Sequence, residues 1–256
     1  MARHMERPLR YLLLSDPHAN LEALEACLEF ARGKYDQALC LGDLVGYGPD
    51  PNAVIERVKA SCAVIIRGNH DKACAGVYEP TDFNPLARLA VDWTRNALTP
   101  ENFEFLRALP SGPVMMDGFQ IVHGSPLDED EYIIGPGQAL PLLKGPQTQT
   151  VCFGHTHYQG GFMISPQGRY QSLRVLSKEN GRTHTLTLEN RARYLINPGS
   201  IGQPRDGDPR AAFAIFDVPQ QTVEYYRTPY DLRGTQKKMS AAGLPDPLIR
   251  RLEYGR

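Results

Sequence analysis

Nine residues in five short stretches carry most of the chemistry this chain offers. They are Asp16 and His18 in Ser15-Asp16-Pro17-His18, Asp43 in Gly42-Asp43, Arg67, Asn69 and His70 in Arg67-Gly68-Asn69-His70-Asp71, His123 in His123-Gly124-Ser125, and His155 and His157 in Gly154-His155-Thr156-His157. Five of the seven histidines fall in these stretches, each just after an apolar run, which scattered core or surface histidines would not produce. Carboxylate oxygens beside imidazole nitrogens suit a transition ion such as Mn, Fe, Zn or Ni. Asp43 has two oxygens with which to bridge a pair of ions, and the Asn69 amide can complete a shell without adding charge. Alternate residues of an extended segment point oppositely, so His155 and His157 can share a centre only if the backbone turns there, as Gly154 would permit. Taken singly, each stretch also reads as an ordinary turn or a buried, hydrogen-bonded histidine. Together they read as a metal centre.

Such residues need elements to bring them together. Strand patterns near Tyr11 to Leu14, Gln37 to Leu41 and Ala63 to Ile66 alternate with helical ones, giving the βαβαβ order of a parallel sheet in an α/β fold. Asp16, Asp43 and Asn69 then follow strand C-terminal ends, where open α/β sheets gather ligands. Asn20 is a plausible cap for a helix over Leu21 to Ala31, and a second helix opens near Pro51. Helical spacing returns from Thr81 to Leu109, broken at Thr99-Pro100-Glu101, as an insertion near residues 75–118. From Val114 the pattern changes to short β-like runs, among them Leu173 to Leu176. The stretch from Leu127 to Gln149 should leave the metal-bearing edge and build the pocket mouth. Asp231 caps a last helix. One domain over residues 8–243 is expected, with 244–256 as a peripheral tail.

The order of these motifs resembles that of the calcineurin-like metallophosphoesterase superfamily: D-x-H, G-D, G-N-H-[DE], H and G-H-x-H. Gly46-Tyr47-Gly48-Pro49-Asp50-Pro51 and Asn197-Pro198-Gly199-Ser200 through Pro209-Arg210 further resemble its bacterial diadenosine-tetraphosphatase-like branch. The resemblance implies two facing mixed β-sheets flanked by helices, a four-layer sandwich, and a dinuclear site. Asp16, His18 and His157 would hold one ion, Asn69, His123 and His155 the other, and Asp43 would bridge. It implies Mn or Fe in the cell, with Zn or Ni possible in purified material. Paired ions lower the pKa of a shared water, so that hydroxide can attack phosphorus in line. His70 resembles the family's acid, which protonates or stabilises the leaving oxygen. Arg67 could neutralise phosphoryl charge, or pair with Asp71 or another acid.

Composition narrows the function. A net charge of -1 and a pI near 6.7 lack the basic footprint of a dedicated nucleic-acid binder, which disfavours a DNA nuclease. No apolar run approaches the length of a membrane span. Met1 to Arg7 are polar, lack the apolar stretch of a secretion signal and read as a loose terminus. Five cysteines without a C-x-x-C pair suit a reduced cytoplasm. The protein phosphatases of the superfamily carry G-D-x-V-D-R-G, whose second Asp orients the catalytic histidine and whose Arg binds phosphate. Gly46 and Tyr47 stand there instead, which counts against a phosphoprotein phosphatase and leaves a site short of one arginine. Small phosphodiesters or nucleotides are therefore expected, with Tyr47, Tyr132 or Trp93 available to stack on a base. A dinucleoside polyphosphate hydrolase is the alternative, and a non-catalytic scaffold is disfavoured by the full set of ligands.

Overall fold

In β1 (Arg10–Leu14), Tyr11 and Leu13 face one way, Leu12 and Leu14 the other, and all four are buried. A strand with side chains alternating at period two reads as an unbroken apolar run when both of its faces are covered. Leu12 and Leu14 pack against α1 (Leu21–Ala31) and α2 (Pro51–Ser61), while Tyr11 and Leu13 meet a second sheet. The computed structural model describes residues 9–146, 148–175 and 181–256. Met1 to Arg7, the expected domain start at residue 8 and Leu176, the end of one expected strand, lie outside these.

The remaining strands are β2 (Gln37–Cys40), β3 (Val64–Ile65), β4 (Val114–Met115), β5 (Phe119–Ile121), β6 (Thr150–Cys152), β7 (Gly160–Ile164), β8 (Tyr170–Arg174), β9 (Gly181–Thr187), β10 (Arg193–Asn197), β11 (Ala211–Asp217) and β12 (Thr222–Thr228). They form two six-stranded sheets, ordered β3-β2-β1-β11-β12-β9 and β4-β5-β6-β10-β7-β8. Both are mixed: β1, β2 and β3 run parallel, as do β5, β6 and β10, and antiparallel partners complete each sheet. Phe119, Ile121, Tyr194 and Ile196 of the second sheet meet Leu39, Phe216 and Tyr225 of the first. The outer face of the second sheet is covered by α6 (Pro136–Lys144), giving helix, sheet, sheet, helix.

The parallel runs fix the site. With β1 and β2 in register at Leu14 and Cys40, and β5 and β6 at Ile121 and Cys152, the loops carrying Asp16, Asp43, His123 and His155 leave adjacent strand ends. After β3 the chain enters α3 (Asn69–Cys74), and the inserted helices α4 (Pro85–Ala97) and α5 (Pro100–Ala108) follow. Thr99 caps α5 by accepting the Asn102 N–H, as the sequence break predicts.

The C-terminal residues are not a peripheral tail. After α7 (Leu232–Ala241), capped by Asp231, come α8 (Asp246–Arg250) and a 3-10 turn (Arg251–Tyr254). Leu244, Leu248 and Leu252 are buried in a cluster with Tyr47, Met239 and Ala90, so this segment packs onto the insertion and the Gly46-Tyr47 loop. Leu248 in α8 and Leu252 in the 3-10 turn stand four apart, Leu244 precedes them in the link from α7, and the burial of all three supplies the reason the segment docks.

Candidate metal centre

Seven buried side chains converge where the two sheets' loops meet. Asp16, His18, Asp43 and His157 form one group of donor atoms, and Asp43, His123 and His155 a second. Asn69 joins the second through Oδ1, 3.3 Å from His123 Nε2. Asp43 belongs to both groups through a single oxygen: Oδ2 lies 3.5 Å from His18 Nε2 and 3.4 Å from His123 Nε2. Its Oδ1 instead accepts the His70 N–H at 2.8 Å. So a single oxygen faces both groups, and the other carboxylate oxygen anchors α3.

Outer hydrogen bonds set the imidazole tautomers. His18, His123 and His157 direct Nδ1 at the carbonyls of Val45, Leu41 and Gln203, at 2.9, 2.8 and 2.6 Å. A carbonyl only accepts, so each Nδ1 carries a proton and each Nε2 faces inward, open to a cation or a further proton. The Nε2 atoms of His18 and His157 face each other at 3.0 Å. Two facing lone pairs are favourable only around a shared cation or proton. His155 is reversed, with Nε2 3.0 Å from the Asp130 carbonyl and Nδ1 left for the site.

These residues fit a divalent cation. Donors about 2.1 Å from a common ion stand roughly 3.0 to 3.4 Å apart in tetrahedral or octahedral shells, and the contacts of Asp16, His18, His123 and His157 run from 3.0 to 3.5 Å. Charge agrees. Burial lowers the His123 pKa, but Asp43 beside it overcomes that and carries the ring up to about 10. A proton there does part of a cation's work. Burial likewise raises Asp43, and the surrounding imidazoles, His123 foremost, hold it well below the ordinary carboxylate range.

The backbone is bent to achieve this. Asp16, His18, Asp43, His155 and His157 all have positive φ, between 47° and 65°. Non-glycine residues rarely adopt that region, and clusters of them mark functional sites where surrounding structure holds the strain. The turn that lets both His155 and His157 point inward is made by those residues themselves, since Gly154 is not among the positive-φ positions.

Comparison with known proteins agrees with this arrangement. Residues 9–159 match the calcineurin-like phosphoesterase family. The chain belongs to that family. It is thereby a hydrolase of ester bonds, and the family together with the Asp and His cluster indicates divalent metal ions. A crystal structure of a metallophosphoesterase from Sphaerobacter thermophilus is 38% identical and overlays with a TM-score of 0.82, covering 97% of this chain and 99% of that one. An uncharacterized protein of Methanocaldococcus jannaschii is 32% identical, covering 95% of this chain and 97% of its own. The narrower diadenosine-tetraphosphatase branch is a distant likeness. A structure described as a candidate diadenosine tetraphosphatase has 15% identity and a TM-score of 0.51, covering 87% of this chain and 95% of that one, and shows the fold alone.

Around the ligands the sequence reading needs two changes. Arg67 is held by Glu129, with Nε and Nη2 donating to its two oxygens at 3.0 and 2.9 Å. Its fork is filled by an acid, the alternative left open by the sequence. Glu129 and Asp130 also pair with the buried Lys72, and this network ties the 127–135 loop to α3. That loop presents Tyr132, stacked on His155 with centroids 3.7 Å apart.

The second change is a guanidinium the motifs missed. Arg205, in the loop after β10, donates its backbone N–H to the His157 carbonyl at 3.2 Å. Its guanidinium donates to Gln203 Oε1 at 3.3 Å and lies near the Tyr47 ring. A signal was available, because the run Tyr194-Leu195-Ile196 ends in Asn197-Pro198-Gly199 just as the ligand-bearing strands end in loops.

His70 is buried beside Asn69, with Tyr47 and Phe83 rings against it at 4.4 and 4.9 Å. Its Nδ1 has no hydrogen-bond partner among the described residues. Gly46 explains why no carboxylate orients it, since a Cβ there would stand 2.5 Å from that Nδ1. Burial, opposed by Asp43 and assisted by Arg205, depresses the ring to about 4. Tyr47, His70 and Tyr132 line a cavity of about 300 Å³ completed by Tyr78, Asp82 and Phe83. Trp93 is not among its walls and packs partly buried against the C-terminal cluster.

Proposed function

We propose that this chain is a dinuclear-metal phosphoester hydrolase acting on small phosphodiesters or nucleotides. The observation that carries the reading is Asp43 Oδ2, within 3.5 Å of an imidazole nitrogen from each donor group, the position of a bridging ligand. Asp16, His18 and His157 would hold one ion, and Asn69, His123 and His155 the other. Mn or Fe are the proposed ions, with Zn or Ni possible after purification, since mixed oxygen and imidazole donors suit all four. When bound, such ions supply Lewis acidity and an activated water for in-line attack on phosphorus.

The chain's own residues would orient and exclude. His70, neutral in its buried setting, would donate a hydrogen bond to the leaving oxygen, the stabilising form of the role rather than that of a preformed imidazolium. Tyr47, Tyr78, Phe83 and Tyr132 give the adjoining cavity aromatic walls suited to an organic leaving group such as a nucleoside. Its size suits a small molecule rather than a protein segment. A cytoplasmic setting is supported by the five cysteines, all free thiols.

The test compares a chromogenic phosphodiester with a phosphoserine peptide under identical Mn loading. A diester kcat/KM above that of the peptide is expected. A ratio well below one would favour a phosphatase, and a dinucleoside polyphosphate turned over much faster than both would favour the polyphosphate hydrolase.

A further inference from the structure

We infer that Arg205 and Arg251 form a two-guanidinium oxyanion site at the rim of the metal centre, which takes a phosphoryl group of the substrate; the inference rests on the phosphoester reading above. Arg251 comes from the C-terminal 3-10 turn, and its guanidinium lies 4.5 Å over the Tyr47 ring, while that of Arg205 lies 5.9 Å from the same ring. Both donate to one atom, Gln203 Oε1, Arg205 at 3.3 Å. Two forks that reach a single oxygen can share a single oxyanion. The site also touches the ligands. Gln203 receives His157 Nδ1–H on its carbonyl, and the Arg205 backbone N–H donates to the His157 carbonyl.

The pair lacks a counter-ion among the described residues. Among the described residues no carboxylate is paired with either arginine, and the nearby acids are engaged elsewhere: Asp206 with Arg227, Asp208 with Arg210 and Glu129 with Arg67. Arg251 Nε is buried without a hydrogen-bond partner among the described residues. Burial, with Arg205 adding repulsion against the help of Tyr47, lowers the Arg251 pKa to about 10. Charges withdrawn from water are ordinarily paired, because their desolvation is costly. Two half-buried guanidiniums sharing a neutral amide oxygen are therefore short of an anion, and a phosphoryl group matches their planar forks. Tyr47 stands where the protein phosphatases of this superfamily carry their phosphate-binding arginine. Here its ring instead supports two guanidiniums delivered from distant parts of the chain.

The experiment is calorimetric titration of metal-loaded protein with orthophosphate, with metal content and melting temperature measured in parallel. Arg205→Gln and Arg251→Gln should each weaken phosphate binding by roughly tenfold or more, the scale of one charge-assisted bidentate contact, with metal content unchanged. Arg205→Lys and Arg251→Lys, which keep charge but lose the fork, should recover part of the loss, which a merely structural role would not give. Arg57→Gln, which removes a surface charge paired with Glu25, should leave binding unchanged. Phosphate affinity within twofold of wild type in Arg205→Gln and in a folded Arg251 variant would overturn the inference, even in an active phosphoesterase. Arginine-dependent phosphate binding in a protein that hydrolyses no phosphoester would leave this site standing and remove the proposed activity instead.

Discussion

Substituting Gly68 by alanine tests the proposed one-oxygen bridge without replacing any of the proposed ligands. The backbone at Gly68 is extended, with φ -107° and ψ -178°, which any residue adopts, so the cost of a side chain is contact alone. A Cβ there would stand 2.1 Å from Asp43 Oδ1 and 2.6 Å from the Asp43 backbone nitrogen. Non-bonded carbon and oxygen need more than 3 Å, so the Asp43 loop must move by roughly 1 Å. It has little room to do so, because Asp43 is 1% exposed and its Oδ1 holds the His70 N–H. Overpacking costs about 1 to 3 kcal/mol, and losing a hydrogen bond to a charged group about 1.5 to 3 more. For a chain of this size the sum lowers the melting temperature by roughly 10 °C. The displaced Oδ2 should also loosen both ions together. Gly137→Ala is the control, since nothing lies within 4 Å of its added Cβ. Calorimetric melting and elemental analysis on the two variants decide the matter. A Gly68→Ala protein that melts within about 2 °C of wild type and retains its full metal content would refute the argument.

Other outcomes follow from the same geometry. His70→Ala should lower turnover by roughly 10²- to 10⁴-fold with both ions retained, and the loss should shrink for esters with good leaving groups; metal loss equal to that of Asp43→Asn would remove the assigned role. Asp43→Asn should weaken binding of both ions in one step of a metal titration, whereas two independent affinities with only one altered would contradict a bridge. Fully loaded wild type should carry two ions per chain, and a stoichiometry of at most one, with no activity restored by Mn, would count against the paired centre. Leu248→Ala should destabilise the fold by about 2 to 5 kcal/mol in a denaturant titration, because Leu248 is fully buried; a change below about 0.5 kcal/mol would return the C-terminal segment to the periphery.

The metal centre was legible because its grammar is local. Each candidate donor follows an apolar run that ends in a turn, and parallel strands bring such ends to one edge, so type and spacing along the chain sufficed to predict that Asp16, His18, Asp43, Asn69, His123, His155 and His157 converge. The helix from Leu21 and the break at Thr99 were likewise written in capping residues that act over three or four positions. Helix α6 was not, since Pro136, Gly137 and Pro141 argue against a helix that burial of Ala139, Leu142 and Leu143 nevertheless stabilises.

What the sequence by itself determined, then, is the parallel sheet, with the second sheet expected from the resemblance, and the set of side chains that converge at the strand ends. Only the tertiary structure decided the charge partners around them. Arg67 meets Glu129 across 62 residues, and Arg251 reaches Tyr47 only because three leucines dock the C-terminal segment on the insertion. An ion pair depends on where two loops finally stand, to within an ångström or two, and no spacing along the chain encodes that distance. The same holds for the single oxygen of Asp43 that faces both imidazoles. It is selected by the His70 N–H capturing the other oxygen, a contact that exists only once α3 has packed.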